Sequence, residues 1–228
     1  MTVLTGRAFS LVGRRWWMYA ALCAAAIAVV AILNALQPKI GVWLAQVLVL
    51  PVLTTIVYAF TLDDARGGTG NPWARVLERL WAVIVIDFLT TILSWLGQTF
   101  AIAGDVLDVL TGAAMMFFYA LLILADASAV VDDEHDWLLL IPRSFGHSFS
   151  LSWRRENLWR VLVLFAIQTV IATFVFAIQG VLDAHKVPFA DFWAAVPLLT
   201  LTTPPMAALI ALVYMDANDM FAALSCDR

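Results

Sequence analysis

Asp87, Gln98 and Asp126 are the residues of this chain best placed to do chemistry, because each stands within a long run of apolar residues. Asp87 follows Trp81 by six positions, which on a helix is roughly 9 Å of depth. A carboxylate at that depth in hydrocarbon is costly and normally faces a bundle interior or a watery cavity. There it could carry a proton or touch a transported solute, with Thr90, Thr91 and Ser94 on neighbouring helical positions. The competing role is structural and is our default: Asp87 reaches back to Arg79 or pairs with an arginine of another loop. Gln98, like Gln46, Gln168 and Gln179, is the kind of amide that joins one membrane helix to another at about 1 kcal/mol per bond. Lining a polar path is its other use.

The remaining polar clusters point to less. Asp132-Asp133-Glu134-His135-Asp136 gathers four carboxylates and an imidazole, and hard divalent cations favour carboxylate oxygen. The run lacks the alternating Asp-x-Asp-x-Asp-Gly spacing of a calcium loop, so a solvated acidic loop is expected and no metal. His135, His147 and His185 all read as loop residues, which disfavours a histidine-based intramembrane hydrolase. No Gly-x-x-x-x-Gly-Lys-Ser/Thr, His-Glu-x-x-His or Gly-x-Ser-x-Gly occurs, so neither phosphate-cradling loops nor those hydrolytic centres are expected. Cys23 and Cys226 form neither a disulfide framework nor a CxxC pair, and Cys23 reads as a small buried apolar residue.

The elements that must position these groups are membrane helices. Of 228 residues, 63% are apolar and 13% charged, against about 45–50% and about 25% in soluble domains. A chain of this size cannot bury so much apolar surface in itself, so lipid must cover the rest. Six stretches reach spanning length: residues 16–36, 40–62, 81–103, 109–131, 161–182 and 192–215. The expected fold is all-α, a six-helix polytopic bundle in a single membrane domain of residues 1–228. Arg7, Arg14 and Arg15 precede the first stretch as they would in a secretory signal, but 21 apolar residues exceed a signal's core. An uncleaved first helix is expected.

Eleven of the thirteen basic residues fall in the N-terminal tail, the two long connections (63–80 and 132–160) and the C-terminal tail. Only Lys39 and Lys186 lie on the other side, so the positive-inside rule puts both termini in the cytoplasm. Trp16, Trp17, Trp81, Trp159 and Trp193 sit near predicted span ends, where an indole anchors to the interface. The odd spans begin at tryptophan beside charge. The even ones close on Asp64-Ala65, Asp126-Ala127 and Asp216-Ala217, which suggests three repeated helical hairpins. Pro72–Leu80, with Asn71 as N-cap, and residues 137–150, broken by Pro142 and Gly146, read as amphipathic surface pieces whose apolar side meets the interface. Pro51, Pro197, Pro204 and Pro205 fall within spans, and the Pro204-Pro205 pair is expected to bend the sixth.

Asp63-Asp64-Ala65-Arg66-Gly67 resembles only superficially the opening of CDP-alcohol phosphotransferases. The required glycine and the later Gly-x-x-x-Asp-x-x-x-Asp are absent, and that activity is not expected. Taken with Arg14-Arg15-Trp16-Trp17, Pro51 and Arg143-Ser144, the same segment resembles a loose bacterial family of six-helix membrane proteins. Its members are similar to the membrane domain fused to some glycerophosphodiester phosphodiesterases. The resemblance implies a bacterial inner-membrane protein in envelope or lipid homeostasis and, with no soluble phosphodiesterase domain present, no enzyme activity. Expected is therefore a non-enzymatic scaffold or accessory subunit without cofactor. Its partners would be the bilayer and a membrane protein or second copy; with no basic stripe, nucleic acid is not among them. Small-residue faces at Ala24-Ala25-Ala26 and Gly112-Ala113-Ala114 would let such helices approach closely. The alternative is a transporter or permease subunit built on Asp87 and the proline-bent sixth helix.

Overall fold

Where no water can satisfy the backbone, long apolar runs fold as helices. A computed structural model describes residues 1–36, 45–68, 70–102, 106–132 and 137–226. Among these residues the chain is helical apart from short turns, and no strand occurs. In chain order the helices are α1 (Thr2–Arg14), α2 (Trp16–Leu36), α3 (Leu50–Ala65), α4 (Pro72–Ile102), α5 (Val106–Leu121), α6 (Ala125–Val131), α7 (Trp137–Ser152), α8 (Arg155–Ala184) and α9 (Ala190–Cys226). Among the described residues, five helical segments are long and apolar enough to cross a membrane: Trp16–Leu36, Val47–Ala65, Val106–Val131, Arg155–Ala184 and Phe192–Asn218. The start of the second predicted span, residues 40–44, lies outside the described residues.

The predicted third span falls inside α4, a 31-residue helix that begins with the stretch read above as a separate surface piece. The two are one element because Asn71 caps the start, its Oδ1 accepting the Ala74 N–H at 3.2 Å. No glycine or proline then interrupts the helix before Gly97. Ahead of α3 the backbone widens into a π turn, Ala45–Val49, beside Pro51, whose missing N–H removes one helical bond.

Two elements were not legible as drawn from the sequence. The N-terminal tail is helical and packs Leu4, Ala8 and Leu11 against the core, mainly against α9. Its signal was the apolar spacing i, i+4, i+7. Residues 137–150 do not break at Pro142 and Gly146: α7 runs through both. Its orientation is also reversed for a water-facing surface helix. Ser144, Ser148 and Ser152 are buried against the bundle with Leu140 and Leu151, while Leu139 and Phe149 point outward and Phe149 stacks on Trp153.

Burial divides the bundle. In the α3 segment 67% of the apolar window is buried, whereas in α8 the figure is 17%, so α3 is central and α8 presents most of its surface outward. The core is dominated by α3, α6 and α9, with Ala125, Ala127, Ala129, Ala208 and Ala211 inaccessible at the contacts. Such small residues let helix axes come close. Trp16, Trp17, Trp159 and Trp193 are exposed and Trp81 is partly covered.

α9 continues through Pro197, Pro204 and Pro205. Pro204 cannot donate to the carbonyl four residues earlier, that of Thr200. The buried Cys23 thiol of α2 donates to this carbonyl at 3.3 Å. Cys23 is therefore a weak hydrogen-bond donor as well as a packing residue. Cys23→Val is expected to cost about 1 kcal/mol and Cys23→Ser less than half of that, since only serine restores a donor; detergent unfolding of the two variants checks the order.

Candidate functional site

At the centre of the bundle a cavity of about 130 Å³ brings Asp87 and Asp126 together. Six helices contribute to its wall: Thr54 and Tyr58 from α3, Asp87 and Thr90 from α4, Tyr119 from α5, Asp126 from α6, Gln168 from α8 and Thr203 from α9. The spacings are helical, three or four residues apart on each face. Asp126 lies five residues before the end of α6, roughly 7.5 Å in from that end, close to the depth read for Asp87. The two carboxylates therefore share a level as well as a cavity.

Little in the cavity offsets their charge. No Lys, Arg or His is among the described residues that line it. Arg79, the partner considered for Asp87, instead holds Glu78 at 3.1 Å. Asp126 Oδ1 is sealed from solvent and has no hydrogen-bond partner. Three hydroxyls on the wall donate to their own helices: Thr54 to Pro51 O at 3.0 Å, Thr90 to Ile86 O at 3.0 Å and Thr203 to Leu199 O at 2.6 Å. Tyr119 reaches Gln168 Oε1 over a long 3.4 Å.

Asp126 owes its place to a break in the Val106–Val131 segment, where residues 122–124 form a turn between α5 and α6. The Leu121 carbonyl freed there is taken by Ser148 of α7 at 2.8 Å.

Its two sequence counterparts are paired. Arg15 grips Asp64 through Nη2 at 2.6 Å and Nε at 3.1 Å, and lies 4.8 Å over the Phe60 ring. The hydrogen bond to Asp64, above all, holds the Arg15 guanidinium above its ordinary value. Arg160 Nη1 meets Asp216 Oδ2 at 2.5 Å. In the middle pair Arg75 donates to the Val130 and Val131 carbonyls.

The arginine-bearing end carries a second polar node. Asp132 accepts the Tyr214 hydroxyl at 2.7 Å, Ser128 Oγ at 2.9 Å and a contact from His147 Nδ1 at 2.9 Å. It thereby ties α6, α7 and α9 together below a pocket of about 290 Å³ that includes Leu62, Arg66 and Asn218. His147 stands on a helix and not in a loop. Residues 133–136 lie outside the described residues. Among those described, no group of three or more His, Cys, Asp or Glu side chains is placed to hold a metal.

Of the residues singled out from sequence, Asp87, Asp126 and Thr90 converge, and Thr91 and Ser94 do not line the cavity. The side chains of Gln98 and Gln46 lie outside the described residues. Gln168 is the amide that lines the site. Tyr58 and Tyr119 were missed, although each carries a polar hydroxyl inside an apolar run and so bore the same signal as Asp87.

Compared with known proteins, the chain matches no family model, no curated protein and no solved structure.

Proposed function

We propose that this chain is a multi-pass transporter or permease subunit of the bacterial inner membrane, with six spans, both ends cytoplasmic, and Asp87 and Asp126 at its working site. The observation that carries this reading is the cavity itself. A scaffold gains nothing from two carboxylates placed in hydrocarbon without basic partners, and such groups are costly to insert. Transport proteins build their sites at interrupted helices near mid-membrane; here the cavity wall includes Leu122 and Ile123 of the 122–124 break, and also Thr203, next to Pro204-Pro205, where α9 stays helical but lacks two backbone donors.

The arrangement of charge supports the orientation. Arg15, Arg66, Arg75 and Arg160 gather at one end of the bundle through contacts with Asp64, Asp132-lined space, the Val131 carbonyl and Asp216, and Lys186 lies at the opposite turn after α8. With the positive-inside rule, the arginine end is cytoplasmic. α4, at 31 residues, supplies the sixth span. The scaffold expected from the sequence remains the second reading, and the outward surface of α8 favours it as a place where a partner or lipid sits.

Uptake of a panel of labelled solutes by membrane vesicles rich in the protein tests the proposal. At least one solute is expected to accumulate above empty-vector vesicles. Asp87→Asn, inserted to the same level, is expected to reduce that uptake about tenfold or more, the equivalent of one lost charge-assisted contact. Equal uptake by the variant, or none by the parent protein across the panel, would remove transport as the function.

A further inference from the structure

We infer that the Asp87–Asp126 cavity is a site for a small monovalent cation, a proton or an alkali ion held between the two carboxylates, and not a pocket for an organic solute. The inference rests on the transport reading for its purpose but on separate observations for its chemistry. Size comes first. A cavity of about 130 Å³ holds about four waters and falls well below the roughly 300–1,000 Å³ of pockets that take organic ligands.

Charge comes second. Two carboxylates face the cavity and no Lys, Arg or His is among the described lining residues, so the positive charge that makes their burial tolerable must come from outside the chain. Asp126 adds to this: its Oδ1 is buried without a hydrogen-bond donor, so the described chain leaves the charge of this carboxyl group uncompensated. The oxygen set is third. Carboxylates, the Thr54, Thr90 and Thr203 hydroxyls with their hydrogens already committed, Tyr58, Tyr119 and Gln168 offer hard oxygen donors, against a single soft sulfur, the Met206 thioether, and no imidazole or thiol among the described lining residues. Divalent ions are disfavoured, because among the described residues no third acidic, His or Cys side chain joins the pair, and the smaller of them gives up its waters reluctantly.

Binding is bookkept by protons. If an alkali ion enters, it displaces carboxyl protons into the medium; if the ligand is the proton itself, no salt displaces it and the bound proton is seen as a carboxyl O–H.

The experiment uses the purified full chain in detergent and weak buffer. Sodium, potassium or choline chloride is added while released protons are followed, and the protonated-carboxyl band is recorded by infrared difference spectroscopy across a pH titration. Asp87→Asn and Asp126→Asn are made separately, so that one folded variant suffices, and Thr173→Val on the outward face of α8 is the control. Proton release by sodium or potassium but not choline, lost in the Asn variants and kept in the control, identifies an alkali ion exchanging with a proton. A carboxyl band lost in the Asn variants, without salt-driven release, identifies the proton. If neither signal depends on Asp87 or Asp126, the inference is overturned even where solute uptake persists. Ion binding without uptake would instead overturn transport and leave this site standing.

Discussion

Asp132→Ala is expected to lower the unfolding free energy of the protein by about 3 kcal/mol, the largest loss from any single polar truncation at the arginine-bearing end. Asp132 accepts from Tyr214, Ser128 and His147. Each hydrogen bond to a charged acceptor contributes about 1.5–3 kcal/mol, and a buried donor left without a partner costs about 1–3 kcal/mol. The full sum overshoots for two reasons. Tyr214 and Ser128 already touch at 3.2 Å and can satisfy one another, and His147 is 54% exposed and turns to water. About 3 kcal/mol remains. Tyr214→Phe removes only one of the three donors and is expected to cost about half as much. Reversible unfolding in mixed micelles measures both. A loss below about 1 kcal/mol for Asp132→Ala would mean that α6 is not held by this node.

Ala211→Leu is expected to cost about 3 kcal/mol or to prevent insertion altogether. Ala211 is wholly buried on α9, one position from Ile210 on the cavity wall, in the cluster that joins α9 to α3 and α6. Three extra carbons have no space to enter there, and overpacking a tight core typically costs about 1–3 kcal/mol, toward the upper end where backbones already approach closely. Lipid does not drive these helices together as water would, so lost fit is not recovered by burial elsewhere. The matched control is Ala177→Leu on the outward face of α8, where the side chain meets lipid and the change should stay within about 0.5 kcal/mol. The comparison is made by yield of inserted protein and by unfolding in micelles; equal behaviour of the two variants would contradict the close packing of α9.

Much of the architecture could be read from residues taken one at a time. Trp16 to Leu36, or Phe192 onward, is too apolar to face water, and that follows from the side chains themselves whatever they touch. The same holds for Asp87 and Asp126: a carboxylate inside such a run is conspicuous before any fold is known. The run without glycine or proline between Pro72 and Gly97 carried a signal for the single long α4, but the sequence reading took its first turns for a separate surface piece.

Partnership was decided by the tertiary structure. Depth marks a residue as lying in hydrocarbon but leaves its direction around the helix unassigned. Nothing in the sequence could therefore rank Gln168 above Gln179, give Glu78 and not Asp87 to Arg79, or seat Cys23 beneath Pro204. The inward turn of the α7 serines depends likewise on the bundle that receives them, and Asp126 faces Asp87 only once the 122–124 break has turned α6. Hydropathy compares one side chain with its solvent, so it survives in the bare sequence. A contact compares two surfaces that meet only after the helices have packed.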